Sequence, residues 1–455
     1  MKKKYKIAVI GMGQGGMVAA YYLAKSGHKV TIFEKQKKVD VSYPWTDDMV
    51  VGTYKAVGLP LPPKELYTQM NTWDWVSPDG TVKTHFPPNP EGYDMSIRRH
   101  ELSLWLADLC TKEGAKIHYA SPVQELLLQE DKVIGVRTAD GRFPADLVID
   151  ASGLTSPFRG QVPAKFGIQA QAAPDDNMTA YRAFFKMKEG TPIPTYPDAR
   201  SCMYLKHMGG VGISWCNISP ENNVDILIGR IGGLSKEETE TMLADLKQKH
   251  PMVTDEVVVP GRWIPIGTRY TLSRLVADGY AAVGDSAYMT IPIMGSGIEA
   301  SMKAGKILAD VVNTNGLYKK ELTAENLWLY QTRYFHKTAW IFSAIDVLKR
   351  WVLNVDDDLI NWLFTKVAPT PLVEAITDLI TKRINGMGCL RIVLRYLPGS
   401  LFQLLTHFSF LRDLASHLKE AGKAALVTYQ IPSKYNPEQL AAWQASYETC
   451  FRHQS

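Results

Sequence analysis

The stretch Lys6-Ile7-Ala8-Val9-Ile10-Gly11-Met12-Gly13-Gln14-Gly15-Gly16 constrains this chain more than any other. An apolar run of strand length ends in a glycine-rich turn, and Met17 to Lys25 then carries a helical pattern. Gly11 permits a tight turn, Gly13 lets backbone approach a pyrophosphate, and Gly16 lets helix and strand pack closely. The helix that follows turns its positive end toward the phosphates. Gly27 supplies the left-handed residue that stops it, and Val30 to Phe33 forms a second strand. That strand ends at Glu34, roughly twenty residues past the last glycine, where a carboxylate accepts from ribose hydroxyls. A glycine triplet alone is a weak signal. Strand, triplet, helix, strand and acid in register predict a bound dinucleotide.

A length of 455 residues leaves room for about three domains, or fewer if they are intimately joined. A net charge of +5 is too small to argue for nucleic acid. The cysteines, Cys110, Cys202, Cys216, Cys389 and Cys450, show no close pairing. This spacing excludes a local zinc knuckle and a ferredoxin-type cluster, and a disulfide framework is not expected. Met1-Lys2-Lys3-Lys4 leads straight into the first strand, so the cytoplasm is the expected compartment.

Between Lys35 and His85 the pattern is mixed. Pro44-Trp45-Thr46-Asp47-Asp48 reads as a polar turn, and Pro78-Asp79-Gly80 as the turn of a hairpin between short strands. Trp73 and Trp75 flank Asp74, as two aromatics on one strand face packing into a core. A helix is predicted from Ile97 to about Cys110, with Leu102, Trp105, Leu106 and Leu109 as its apolar stripe. Strands are predicted at Ile117–Val123, Val133–Thr138 and Leu147–Ile149, the last running into Asp150-Ala151-Ser152-Gly153. From about Pro157 to Ile266 the alternation suits an antiparallel sheet, interrupted by a helix from Ser235 to about Lys249 with Glu238 completing a capping box. No nucleophile-base pair and no metal-ligand spacing stands out there. Tyr280 to Asp285 repeats the buried-strand pattern, and Pro292 to Ile298 leads into a helix running to about Val312.

These separate motifs, in this order, resemble the FAD-dependent superfamily that groups geranylgeranyl reductases, aromatic-ring hydroxylases and flavin halogenases. The resemblance implies an α/β fold: a Rossmann-like FAD-binding domain of the glutathione reductase type, an inserted antiparallel-sheet substrate domain and a helical C-terminal region. It implies that residues 1–156 and 268–315 form the first, with part of 40–95 on the substrate side. Residues 157–267 form the second and 316–455 the third. On this reading Gly11, Gly13, Gln14, Gly15, Gly16, Glu34 and Lys35 meet the adenosine-diphosphate half of FAD, and Arg99 contacts the cofactor from a helix start. Val123, Ser152 and Gly153 lie near it, and Gly284-Asp285 matches the motif whose aspartate binds the ribityl chain. Pro292, Gly295, Ser296, Gly297 and Ile298 match the loop facing the flavin pyrimidine edge, where a helix N-terminus stabilises negative charge on the reduced ring and favours hydride chemistry.

Three reactions compete. The halogenase motif is absent from the middle sheet, and Trp73-Asp74-Trp75 is only a near miss in another part of the chain. The hydroxylases share the fingerprints, while Gly261-Arg262-Trp263-Ile264-Pro265-Ile266-Gly267 resembles the reductases. Two departures stand out: a Cys-Gly stretch near the flavin is replaced by Pro44 to Asp48, and the reductases' aromatic substrate motif survives only as Trp215. Reduction of carbon-carbon double bonds in an isoprenoid or other apolar substrate is the leading reading. A monooxygenase is the alternative, then a halogenase or a non-catalytic flavin-binding protein. Trp45, Asp47 and Trp215 are expected on the substrate side, with aromatic core packing as the other reading for the tryptophans. NAD(P)H or a redox protein is the expected electron donor. In the helical tail, residues 390–414 are apolar with interspersed base; their uncharged portion, Tyr396 to Leu411, falls short of the ~20 residues needed to span a bilayer and is broken by Pro398-Gly399. They suit either peripheral contact with the inner membrane face or a cap on the first domain.

Overall fold

The structure, a computed structural model, describes residues 4–69, 73–86, 94–195, 198–314, 320–366 and 408–451. The first apolar run forms the strand Lys6–Ile10, buried from Ile7 onward. It lies inside a six-stranded sheet, paired in parallel with Lys29–Phe33 on one side and Leu147–Asp150 on the other. Lys116–His118 and Tyr280–Ala282 extend that sheet, also in parallel. Parallel strands require crossovers that cover the sheet faces, which is why both faces of these strands are apolar. The helices Gln14–Lys25 and Ile298–Val312 pack against each other on this sheet. Their approach is so close that a Cβ on Gly305 would lie 2.0 Å from the Gly15 carbonyl oxygen.

The second sheet has seven strands in the order Val253–Gly267, Asn177–Met187, Asn223–Ile231, Ile213–Ile218, Ser201–Leu205, Trp73–Val76 and Lys83–Phe86. Its far edge is the expected hairpin around Pro78-Asp79-Gly80. Trp73–Val76 docks in parallel on Ser201–Leu205, so a segment from early in the chain completes a sheet built mostly from later residues. Trp73 and Trp75 are half-buried rather than core residues, and Trp73 meets Trp215 edge-on. Strand register fixes what each face presents. Met178, Ala180 and Arg182 share one face with Ile266, Ile264 and Arg262 of the edge strand and with Leu227 and Trp215 beyond. On the opposite face Phe185, Ile226 and Ile228 pack with Met242 and Leu246 of the helix Lys236–Lys249.

Several local expectations are corrected. Residues after Pro44 form the strand Thr46–Val50 rather than a turn, because Asp94–Arg98 pairs with it. Ile97 and Arg98 therefore belong to a strand, and the helix starts at Arg99 and runs to Lys112. Pairing decided both, against a local pattern that reads equally well as helix. The first helix starts at Gln14, not Met17, since Gly13 is its N-cap and two glycines fill its first turn. The strand after Ile117 is only Lys116–His118, and Glu125–Gln129 forms an additional strand in a small sheet with Lys132–Thr138. Ser235 caps its helix by accepting from the Glu238 amide, but the Glu238 carboxylate is engaged by Arg230 at 2.6 Å instead of closing the capping box.

The C-terminal region is helical: Ala324–Tyr334, Trp340–Asn354, Asp357–Lys366, Phe408–Tyr429 and Pro437–Thr449. Its end packs on the nucleotide-binding sheet's core, where Tyr447 donates to the Thr271 carbonyl (2.7 Å) and Phe451 stacks on Tyr270. Residues 390–407 of the apolar tail segment lie outside the described residues. Among the described residues no helix is long and apolar enough to cross a membrane.

Candidate active site

The C-terminal ends of the parallel strands open into a cavity of about 510 Å³, within the roughly 300–1,000 Å³ usual for small-molecule sites. Its position follows from topology, because ligands of open α/β sheets bind beyond the carboxyl ends of the strands. Gly11 takes φ +83, a left-handed turn that any Cβ would strain, and its Cβ would also strike the Ala151 carbonyl oxygen at 2.7 Å. At Gly13 the crowding atom is again the Ala151 oxygen, at 2.9 Å, so this glycine is required by the neighbouring loop as well as by any ligand. Gly16 lies outside the cavity lining and lets the helix settle on Ala151 and Val9.

Glu34 is buried beneath this loop. One carboxylate oxygen accepts from the Met12 amide and the other from the Gln36 amide, both at 2.9 Å. It braces the glycine loop, and the second lone pair of each oxygen remains for a hydroxyl. Asp150, part of the Asp150-Ala151-Ser152-Gly153 motif but not expected among the site residues, is fully buried and accepts from the Ser152 amide and hydroxyl, Ser156 Oγ and Tyr280 OH. Those donors set the Ser152-Gly153 loop on the cavity wall. Ser156, two turns of loop further on, was recognisable only once this partner was known.

Arg99 projects from the first turn of its helix. Its Nη1 donates to Asp47 (2.7 Å) and its Nη2 to the Gln14 side-chain oxygen (3.2 Å), while its buried Nε has no partner among the described residues. Asp47 also accepts from Arg182 (2.8 Å), which donates through two further nitrogens to Asp225 at 2.9 and 2.8 Å. Trp215 Nε1 donates to the same Asp225 (3.3 Å). Arg182 lies against the rings of Trp45, Phe184 and Trp215, and burial's preference for the neutral guanidine is overcome by the two carboxylates, which raise its pKa. A continuous ionic chain thus joins the cavity to the apolar sheet face.

At the far end, Asp285 opens to the cavity yet is enclosed by protein behind it. Desolvation pushes its carboxyl pKa up, partly opposed by Arg99. A Cβ at Gly297 would sit 3.0 Å from its Oδ1, and Gly297 leaves the helix Ile298–Val312 without a side-chain cap. Free amides at that helix end favour a negative group.

Of the residues expected to hold a cofactor, Gly11, Gly13, Gln14, Gly15, Glu34, Lys35, Arg99, Val123, Ser152, Gly153, Gly284, Asp285, Gly295, Gly297 and Ile298 line this cavity. Pro292 and Ser296 do not; the Ser296 carbonyl instead accepts from the Ile291 amide and shapes the loop. Trp45, Asp47 and Trp215 stand behind the wall rather than on it, with Trp45 stacked on Tyr43. Tyr43 and Arg262 do line the cavity and were not anticipated. Tyr43 follows Ser42, a non-glycine residue at φ +69 held through its amide by the Gln36 side chain, a conformation no local pattern announces.

Comparison with known proteins agrees with this architecture. Residues 9–42 match the model of an NAD(P)-binding Rossmann-like domain. The chain is 22% identical over 407 residues to digeranylgeranylglycerophospholipid reductase of Sulfolobus acidocaldarius, covering 85% of this chain and 88% of that protein. A geranylgeranyl bacteriochlorophyll reductase-like protein of Thermoplasma acidophilum shares the fold, with a TM-score of 0.72 at 19% identity over 89% of this chain and 99% of the other. A probable FAD-dependent monooxygenase of Pseudomonas aeruginosa follows at 0.60 and 18%, over 80% and 100%. The likeness to geranylgeranyl reductases read from the motifs therefore extends along most of the chain, and the fold is theirs.

Proposed function

We propose that this chain is an FAD-dependent oxidoreductase that reduces carbon-carbon double bonds of an isoprenoid lipid. The observation that carries this reading is the junction of a dinucleotide cavity with an apolar sheet face. The glycine-loop end suits an adenosine diphosphate, and the Asp285–Gly297 end suits a polar ring system. The helix end at Gly297, which no side chain caps, presents donors that a bound flavin nucleotide would satisfy. We assign to the dinucleotide all the lining residues expected above, with Glu34 on the ribose and Asp285 on the ribityl chain. The domain division 1–156 with 268–315, 157–267 and 316–455 is part of the same reading.

Bound there, FAD would supply two-electron hydride chemistry. The chain's own contribution is placement and exclusion of water. Arg99 is held in register on the cavity wall by Asp47 and Gln14. Ile264 and Ile266, half-buried over the buried Met178, Ala180 and Leu227, would offer apolar surface to a hydrocarbon chain. Trp45, Asp47 and Trp215 back this surface from the substrate side. NAD(P)H or a redox protein delivers the electrons.

The decisive experiment is anaerobic reduction of the FAD-loaded protein, followed by mixing with a geranylgeranyl lipid or with oxygen. Rapid reoxidation by the lipid, with loss of an alkene from it, is the expected result. Reoxidation by oxygen alone, with a hydroxylated product, establishes the monooxygenase reading that the Pseudomonas neighbour favours.

A further inference from the structure

Cys202 and Cys216 stand directly opposite each other on the paired strands Ser201–Leu205 and Ile213–Ile218. Both thiols are free and share one face of the sheet. Cys216 belongs to the apolar cluster under the helix Lys236–Lys249, and Cys202 packs against that cluster. The Ile218 amide donates to the Arg200 carbonyl (3.0 Å) and the Lys206 amide to the Gly212 carbonyl (2.9 Å). Alternation along an antiparallel ladder then makes the two cysteines a hydrogen-bonded pair, with Cα atoms about 5.5 Å apart. A disulfide bridges Cα separations of roughly 4.4–6.8 Å. Opposed Cβ atoms lie about 5 Å apart and must close to about 4 Å in a disulfide, so the bridge draws the strands together and is readily reduced.

Access to the two sulfurs is unequal. Cys216 is buried and Cys202 only half-buried, so an oxidant meets Cys202 first with Cys216 one rung away to resolve it. Burial pushes both thiols up, which keeps the pair reduced until an oxidant is sustained. The neighbours of Cys216 both meet the buried Asp225. Trp215 Nε1 donates to its carboxylate (3.3 Å), and Asn217 pairs with it across the strands. Asp225 in turn holds Arg182, which shares Asp47 with Arg99 on the cavity wall.

We propose that Cys202 and Cys216 are a modification site, closed to a reversible disulfide by a hydroperoxide, and that closure loosens the Asp225–Arg182–Asp47–Arg99 chain behind the cofactor cavity. The Cys202 sulfur breaks the O–O bond and becomes a sulfenic acid, releasing water or an alcohol. The Cys216 sulfur then displaces the sulfenic hydroxyl as a second water. Two thiols are oxidised, one peroxide bond is reduced, and both thiol protons leave in the products. The effect on the cavity rests on the cofactor reading; the bridge itself does not.

The test treats the full-length, FAD-loaded protein with hydrogen peroxide and reads two quantities, the tryptic peptide masses and the FAD affinity. Lys206 lies between the cysteines, so trypsin separates them unless they are bridged. A peptide pair joined through Cys202 and Cys216 is expected, with FAD weakened by about fivefold or more, and both changes reversed by dithiothreitol. Cys202→Ser and Cys216→Ser should each abolish the bridge. Cys202→Ser should also keep the parent's FAD affinity before and after peroxide. Peroxide that carries Cys202 to a sulfinic acid without a bridge, or joins it to another cysteine, overturns the proposal. A bridged protein with unchanged FAD affinity overturns it too, as does a Cys202→Ser variant that loses FAD on oxidation. Failure of the untreated parent to bind FAD refutes the cofactor reading, and the bridged peptide then decides the modification site alone.

Discussion

Replacing Gly305 by alanine tests whether the crossing of the helices Gln14–Lys25 and Ile298–Val312 sets the shape of the dinucleotide loop. The added methyl would lie 2.0 Å from the Gly15 oxygen and 2.9 Å from its carbonyl carbon. Ordinary contact begins at 3.4 Å, so the helices must separate by roughly 1.4 Å. The obstacle is backbone, which no rotamer change relieves. Overpacking of this kind costs about 1–3 kcal/mol, and a rigid obstacle argues for the upper end. Alanine returns about 1 kcal/mol of helix propensity, so a net loss of about 2 kcal/mol is expected. Gly422 provides the control, being exposed in the helix Phe408–Tyr429 with nothing within 4 Å of its added Cβ. Gly422→Ala should therefore stabilise by about 0.5–1 kcal/mol. Urea unfolding of both variants measures the difference, and FAD titration measures the loop. Because Gly15 lines the cavity, Gly305→Ala should weaken FAD by about tenfold, equivalent to 1.4 kcal/mol. A Gly305→Ala protein as stable as Gly422→Ala, with unchanged FAD affinity, would refute the packing argument.

Two further substitutions probe the charges at the junction. Asp225→Asn removes the bidentate partner of buried Arg182 and should cost about 3 kcal/mol in urea unfolding, with much of it restored by adding Arg182→Met; loss of less than about 0.5 kcal/mol in the single variant argues against a buried, obligatory pair. Asp48, enclosed beside Asp47 and bonded by Ser96, has its carboxyl raised from 3.8 to about 6, chiefly by desolvation. The folded state then holds this proton more tightly than the unfolded chain, so the contribution of Asp48 to stability is full below about pH 4 and is lost as pH rises through about 6. Asp48→Asn should flatten that slope and gain on the order of 2 kcal/mol at pH 7, and parallel pH profiles for the two proteins would show the carboxyl to be solvated.

Much of the nucleotide-binding half was legible in order along the chain. Strand, glycine turn, helix and acid occupy consecutive residues, and local sterics dictate them almost regardless of context: Gly11 really does sit at φ +83, and Glu34 really does end the second strand beneath the loop. The helix Ile298–Val312 was readable for the same reason. Between Pro44 and Arg98 the local code failed, because Thr46–Val50 and Asp94–Arg98 are strands only by virtue of each other, some fifty residues apart.

The amino-acid order by itself determined that a dinucleotide fold opens the chain, which glycines and which acid shape its loop, and that an antiparallel sheet follows. Only tertiary structure decided that Asp47 would bridge Arg99 and Arg182, that Asp150 would gather four donors, and that Arg262 would line the cavity. The physical reason is range. Turn geometry and strand burial are set by neighbours a few residues away, whereas the pairing of a buried charge depends on which distant segments the sheets bring within about 3 Å of it.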